Sequence, residues 1–247
     1  PSRRFLTRHM AARGVNTRFH AAAASTADVI ATLTDRTRIL LIESPASLTF
    51  EIQDVAALAA ACRERGVLTV MDNTWAAGLA FRPLEHGVDV SVQAVTKYVA
   101  GHSDLLMGSI AVSDPAVGRP VAETLEDLGW RVSPDDAWLA LRGLRTLPLR
   151  YGEQGRSALW VAEWLQARPE VAQVLYPPLP GSVGHELWRR DYDGAASILG
   201  LVLNGGSLEA ADALLDSLTL FGLGFSWGGF ESLITHETSQ MAHRLHP

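Results

Sequence analysis

The sequence has 247 residues, 47% of them hydrophobic and 19% charged, which is enough apolar material for one large domain or two smaller ones. A formal net charge of −6, without long basic clusters, argues against a nucleic-acid partner. The longest uncharged apolar stretches are about half of the roughly 18–20 residues that a membrane helix needs, so we expect no membrane contact. The single cysteine, Cys62, cannot form an internal disulfide, and a cytoplasmic location fits best.

Short apolar runs alternate with helical patterns in the first half of the sequence, which is typical of parallel βαβ units. The runs RILLIES, VLTVMD, VDVSVQAV and GSIAVS, which begin at residues 38, 67, 88 and 108, predict four strands. Between the first two, Asp54 can cap a helix that ends near Gly66. One crossover helix between two strands places them parallel in one sheet.

The second half has a different pattern. A long helical region from about residue 134 to residue 168, interrupted by Gly143 and Pro148, is expected to connect two domains. Beyond it, VAQVLYP and SILGLVL predict strands, and LEAADALLDSL predicts an amphipathic helix. We place the domain boundary at residue 143, which gives domains of residues 1–143 and 144–247.

Candidate site residues lie directly after the predicted strands, because ligands of an open parallel sheet bind beyond the carboxyl ends of its strands. Asp72 follows the second strand, and Thr96 and Lys97 follow the third. A buried carboxylate needs a cationic or hydrogen-bonded partner. A buried lysine has a depressed pKa and can attack carbonyl groups as a nucleophile. A lone lysine after a strand is more often a solvated loop residue, so both interpretations stay open.

Three motifs follow one another in this region: DNT at residues 72–74, TK at residues 96–97 and GHSD at residues 101–104. Together they resemble the cofactor-lysine region of the Cys/Met-metabolism family of pyridoxal-phosphate enzymes, which have fold type I. ESPASLTFE, RGLRTL, YPPLPG and FSWGGFESL extend the resemblance over essentially the whole chain. It implies an α/β fold, with a mostly parallel sheet in a partial cofactor-binding large domain and a smaller α+β C-terminal domain.

The resemblance also implies roles for individual residues. Lys97 would hold pyridoxal 5'-phosphate as a Schiff base and, once released, would carry the substrate α-proton. Asp72 would sit against the pyridine nitrogen, and Thr96 would donate its hydroxyl to the phosphate. Many relatives have a second hydroxyl at the position of Ala94, so one phosphate contact is weaker or comes from elsewhere. Ser47, assigned to the cofactor site, stands where related γ-synthases and γ-lyases usually have Asn.

Several details favour the cystathionine β-lyase branch of the family, among them DNTWAAG and SWGG. Ser226 and Trp227 resemble the residues that face the substrate, a small sulfur-containing amino acid. The implied reaction is β-elimination of L-cystathionine to homocysteine, pyruvate and ammonia. Activities of the γ-lyase, γ-synthase or cysteine-desulfhydrase type are the alternatives. Family sites are completed by a neighbouring subunit, so we expect a homo-oligomer arranged as a dimer of dimers.

The resemblance begins and ends in unusual places. Relatives carry a longer segment before PSRRF, with a phosphate-binding glycine turn and a tyrosine that stacks on the cofactor. They also continue past HRLHP to an arginine that binds the substrate carboxylate, and Arg244 lies too early to be that residue. We therefore expect a portion of a longer enzyme, and the alternative is a truncated, non-catalytic scaffold subunit.

Two other patterns suggest different chemistry. GFSWG at residues 224–228 matches the G-x-S-x-G nucleophile elbow and would make Ser226 a hydrolase nucleophile, but the expected strand-turn-helix context is missing. The pairs His243 with His246 and His102 with Asp104 could each form half of a metal site. Without further ligands at suitable spacing, surface histidines are the simpler interpretation, and we predict no metal.

Overall fold

The computed structural model describes residues 2–237. A π-helical turn (Phe5–Met10) and 3-10 turns at Ala11–Arg13 and Pro83–His86 accompany the regular elements. The α-helices are α1 (Ser2–Arg4), α2 (Thr26–Ala31), α3 (Val55–Glu64), α4 (Pro115–Asp127), α5 (Pro134–Leu144), α6 (Leu147–Gln166), α7 (His185–Asp191) and α8 (Leu208–Ser217). The strands are β1 (Ile39–Glu43), β2 (Leu68–Asp72), β3 (Val90–Ala94), β4 (Gly108–Val112), β5 (Val171–Leu175), β6 (Gly200–Leu203), β7 (Gly222–Leu223) and β8 (Leu233–Ile234).

The four predicted strands of the first half form one sheet in the order β1-β2-β3-β4. Strands β1, β2 and β3 run parallel, whereas β4 is antiparallel to β3. The register aligns Glu43 with Asp72 and Asp72 with Val92. The mostly parallel sheet is thus confirmed, and the carboxyl ends of three strands meet at one edge. The segments that follow these strands are therefore neighbours in space.

Helix α3 forms where the sequence predicts it and buries one face against the sheet. The Asp54 side chain caps it by accepting a hydrogen bond from the Ala57 amide at 3.1 Å. Val55 and Leu58, on its inner face, are buried in one cluster with Ile42 of β1. Full burial of each such side chain contributes about 1.5–3 kcal/mol. This core fixes β1 and β2, and so the strand ends that precede the site.

The long helical region is two helices, α5 and α6, separated by residues 145 and 146. Pro148 lies in the first turn of α6, where its missing N–H is not needed. The predicted interruption falls between Gly143 and Pro148, and Gly143 is the last residue but one of α5. A Cβ there would lie 2.3 Å from the Ala100 carbonyl oxygen. Gly143 therefore permits close packing of α5 on the segment that follows Lys97.

The second half is smaller and less buried. The two predicted strands are present as β5 and β6, which pair antiparallel, and β7 pairs with β8 in parallel. Helix α8 forms where the amphipathic pattern predicts it and is capped by Ser207. None of its residues is buried. Helices α4 and α7 were not predicted. Within residues 2–237, no helix is long and apolar enough to cross a membrane.

Candidate active site

Lys97 lies in the tight turn that follows β3, at the carboxyl edge of the sheet. Its Nζ donates a hydrogen bond to the Ser226 hydroxyl oxygen at 3.2 Å, and it lies 5.2 Å from the centre of the Trp227 ring. Partial burial lowers the pKa of Lys97, because removal from water disfavours the charged ammonium. The structure thus brings together three of the predicted site residues, although Ser226 is 129 positions away in the sequence.

Lys97 is also the only lysine in the sequence, whose other basic side chains, apart from histidine, are all arginine. An arginine cannot lose its proton in the physiological range, so it cannot serve as a neutral amine. The 247-residue sequence therefore has one ε-amine, and it lies in this site. The uniqueness of Lys97 is visible in the residue composition, but the motifs alone do not reveal it.

The backbone around Lys97 is held by Arg150 of α6. The guanidinium donates to the carbonyl oxygens of Tyr98 at 2.9 Å, Val99 at 3.1 Å and Gly143 at 2.8 Å. Burial lowers the pKa of Arg150. Sequence reasoning missed this residue, because backbone acceptors about fifty positions away leave no signal in the pattern of side chains.

Asp72 ends β2, next to the strand that leads to Lys97. Its Oδ1 accepts hydrogen bonds from the Thr74 amide at 3.0 Å and the Thr74 hydroxyl at 2.5 Å. The same hydroxyl oxygen accepts a bond from the Ala94 amide of β3 at 2.8 Å. Asp72 thus has the hydrogen-bonded partner that its position required, and this partner ties the ends of β2 and β3 together. Within residues 2–237, no donor reaches the other carboxylate oxygen, Oδ2.

Thr96 and Ser47 lie at the same edge of the sheet but have other partners. The Thr96 hydroxyl accepts a bond from the Met107 amide at 2.9 Å and donates to the Met107 carbonyl at 3.2 Å, which is long for a hydroxyl donor. Ser47, in the loop after β1, donates to the Glu43 carboxylate. Both hydroxyls are thus bonded within the protein, so binding of a ligand by either would require a change of partner.

The loop that carries Ser226 and Trp227 packs directly on the Lys97 turn. The Trp227 ring meets the Tyr98 ring edge-on, with centroids 5.4 Å apart. Gly228 has φ +76°, and a Cβ there would lie 2.9 Å from the Tyr98 nitrogen. A side chain would therefore push the loop away from Lys97, which is why a glycine follows Trp227.

The hydrolase alternative lacks its structural context. The two-residue strand β7 precedes Ser226, and no helix follows it within residues 224–237. The Ser226 hydroxyl contacts an amine rather than a histidine. His243 and His246 lie outside the described residues. Among the residues that the structure describes, no group of three histidine, cysteine or acidic side chains could hold a metal ion.

Two groups at the ends of adjacent parallel strands define the class of site: a half-buried amine, and a carboxylate whose Oδ2 accepts no hydrogen bond from residues 2–237. They fit an aromatic aldehyde with a ring nitrogen, as in pyridoxal phosphate: the amine suits the aldehyde and the carboxylate suits the protonated nitrogen. The fold is that of the fold type I pyridoxal-phosphate enzymes.

Comparison with known proteins gives the family. The chain belongs to the family described as Cys/Met metabolism PLP-dependent enzyme, whose profile it matches over residues 1–247. It is 47% identical to a cystathionine beta-lyase of Bordetella avium over 84% of this chain and 52% of that protein. It is 41% identical to cystathionine beta-lyase MetC of Escherichia coli K12 over 95% of this chain and 60% of that protein.

Solved structures agree. The crystal structure of metB from Corynebacterium glutamicum superposes with a TM-score of 0.93 at 31% identity, covering 98% of this chain and 63% of that one. The chain thus spans between half and two thirds of the length of these proteins. The resemblance that the motifs around Lys97 indicated is therefore confirmed at the level of the family and the fold.

Proposed function

We propose that this chain is the lysine-bearing part of a carbon-sulfur lyase that cleaves L-cystathionine by β-elimination to homocysteine, pyruvate and ammonia. The observation that carries the proposal is the position of Lys97, the only ε-amine, under Trp227 and against Ser226. The similarity to proteins named cystathionine beta-lyase supports the choice of reaction. Pyridoxal phosphate, when bound, would accept the charge released at the substrate α-carbon.

The residues of this chain would then have distinct tasks. Lys97, whose pKa is lowered by burial, has a larger neutral fraction near pH 7 and so can attack the aldehyde and later take the α-proton. Asp72 would offer its Oδ2 to the ring nitrogen, since Oδ1 is already bonded to Thr74. Ser226 would orient the lysine amine, and Trp227 would shield it from water and line the substrate site. Thr96 would bind the phosphate, and Ser47 would lie at the cofactor.

A single-lysine protein allows a sharp test. Added pyridoxal phosphate should give a coloured protein, and borohydride reduction should add one phosphopyridoxyl group on Lys97, as intact-mass and peptide analysis would show. Lys97→Arg, which keeps the charge but cannot form the linkage, is the matched control and should remain colourless. A colourless wild-type chain would favour the scaffold alternative and contradict the proposal.

The products separate the family's reactions. We expect pyruvate and a free thiol from L-cystathionine, with pyruvate also released from other β-thio amino acids. Release of 2-oxobutyrate instead would move the assignment to the γ-lyase type. Loss of product in Lys97→Arg ties either activity to this site and excludes a contaminating enzyme.

The remaining assignments extend the proposal to the whole protein. We propose a cytoplasmic homo-oligomer, arranged as a dimer of dimers, which would act on a small sulfur amino acid. Within the chain, the division into residues 1–143 and 144–247 stays a prediction. Sedimentation velocity would test the assembly, and limited proteolysis between α5 and α6 would test the boundary.

A further inference from the structure

Two polar contacts hold the loop of residues 225–231, called here the Trp227 loop. From α6, the Gln154 side-chain Nε2 donates to the Gly229 carbonyl oxygen at 2.8 Å. From the segment after Lys97, the Ser103 hydroxyl donates to Glu231 Oε2 at 2.7 Å. Neither contact involves Ser226 or Trp227 directly. Together they fix the backbone just after the two residues that face the lysine amine.

These contacts are poorly explained as contributions to folding. Ser103 and Glu231 are exposed, and an exposed polar pair contributes little to stability because water competes for both groups. Ser103 also adopts a left-handed conformation, with φ +56°, which is unfavourable for a serine. Within residues 197–237, Gly228 is the only buried residue, and Trp227 is the residue of this loop that packs against the core.

Gln154 shows a related feature. Its other amide atom, Oε1, is buried and has no hydrogen-bond partner among residues 2–237, which is unfavourable for a carbonyl oxygen. Turning the amide over would place Oε1 against the Gly229 carbonyl oxygen and lose the bond at 2.8 Å. The orientation is thus set by the loop. A buried, half-satisfied amide is typical of a position under functional constraint.

We propose that Gln154 and the Ser103–Glu231 pair are positioning residues that hold Ser226 and Trp227 over the Lys97 amine and thereby set substrate affinity. The inference rests on the proposed function, because it assigns the Trp227 loop to substrate binding. We call the side chains of Gln154, Ser103 and Glu231 the clamp. Among residues 2–237, none of the three forms a hydrogen bond with the lysine nitrogen, so the clamp takes no direct part in the chemistry.

Gln154→Met keeps the side-chain length and removes the donor, and Glu231→Ala removes the acceptor for Ser103. In the enzyme loaded with pyridoxal phosphate, we expect each change to raise KM for L-cystathionine about fivefold, with kcat within about twofold. The double variant should show about the product of the two effects if the contacts act independently. Glu231→Gln keeps an acceptor oxygen and should behave as wild type. Glu186→Ala, which breaks an exposed ion pair with Arg189 on α7, controls for loss of a glutamate.

A second measurement does not need activity. Hydrogen exchange followed by mass spectrometry should show faster exchange of residues 225–231 in Gln154→Met and Glu231→Ala, with α6 unchanged. If the wild type releases no keto acid but exchange still quickens, the clamp stands and the proposed function fails. Unchanged KM and exchange would overturn the clamp. So would a parallel loss of kcat and melting temperature, or failure of Glu231→Gln to restore the wild-type values.

Discussion

The two sides of the active site are built in different ways. The Lys97 turn rests on a dense core, in which Tyr98 is 1% exposed and donates or accepts hydrogen bonds with Ser197. The Trp227 loop belongs to residues 197–237, where Gly228 is the only buried residue. The Lys97 turn and the core beneath it, called here the support side, are thus rigidly packed. The Trp227 loop, called here the loop side, is held by the close contact of Gly228 and a few hydrogen bonds.

This difference indicates a division of labour between stability and substrate binding. Changes beneath the Lys97 turn should unfold the protein or displace the lysine, because packed backbone cannot adjust. Changes in the Trp227 loop should leave the fold intact and alter what binds at the amine. Four substitutions test the contrast, and the first should have the largest effect.

Gly143→Ala tests the support side. The new Cβ would lie 2.3 Å from the Ala100 carbonyl oxygen and 2.4 Å from that of Val99, and backbone atoms cannot move aside cheaply. We expect the free energy of unfolding to fall by about 3 kcal/mol or more, measured by urea denaturation. Gly152→Ala is the matched control, because Gly152 is an exposed position of α6 and its Cβ would meet nothing within 4 Å. That change should stabilise the helix by about 1 kcal/mol.

Gly228→Ala tests the loop side. Both its φ of +76° and the 2.9 Å approach of a Cβ to the Tyr98 nitrogen oppose a side chain. We expect the Trp227 loop to shift and product formation to fall about a hundredfold, with the free energy of unfolding changed by about 1–2 kcal/mol. Gly205→Ala carries the same backbone strain, with φ +61° and nothing within 4 Å. If Gly205→Ala loses as much activity, the loop contact is not the cause.

The buried tyrosines sharpen the comparison through pH. All four tyrosines of the sequence are buried on the support side, and burial raises the pKa of Tyr98 to about 12. Burial also raises the pKa values of Tyr151, Tyr176 and Tyr192. Because the unfolded chain loses these protons near pH 10, stability is retained below about pH 10 and is lost as pH rises towards 12.

For Tyr98 alone, this loss amounts to about 2–3 kcal/mol between pH 10 and pH 12. Absorbance at 295 nm should therefore show no tyrosinate in the folded protein near pH 10, in contrast to the protein in guanidinium chloride. Tyr98→Phe should reduce the steepness of the alkaline loss of stability. Ordinary titration of all four tyrosines in the folded state would contradict this account of the support.

The support side could be predicted well from the sequence, and the loop side only in part. Strand patterns and the Asp54 cap are local features, and so the parallel sheet and the place of Lys97 followed from them. Ser226 and Trp227 were found through the family resemblance, since nothing local connects them to Lys97. Arg150 and Gln154 were missed because both donate to backbone carbonyls far along the chain.

Gly143 was identified in the sequence as a helix interruption, but its role in close packing was missed for the same reason. A glycine in a helical pattern indicates a break when only the helix is considered. In the structure, it is the neighbouring Ala100 carbonyl that requires a missing side chain. Close approach between segments is a property of the packed molecule, and a single sequence gives no sign of which glycines serve it.

We expect the smallest change in the free energy of unfolding from substitutions in the ion pair that links α7 to the start of α3. Arg190 donates to both carboxylate oxygens of Asp54, at 2.9 and 3.1 Å, and holds the pKa of Asp54 below its usual value. The stabilisation is therefore present at neutral pH and is lost as pH falls through the carboxyl pKa. Asp54→Asn keeps the helix cap but removes the charge, so we expect a loss below about 1 kcal/mol, absent in acid. Asp54→Ala, which also removes the cap, should lower the free energy of unfolding by about 1 kcal/mol more. Equal losses in the two variants, measured by urea denaturation, would show that the cap contributes nothing.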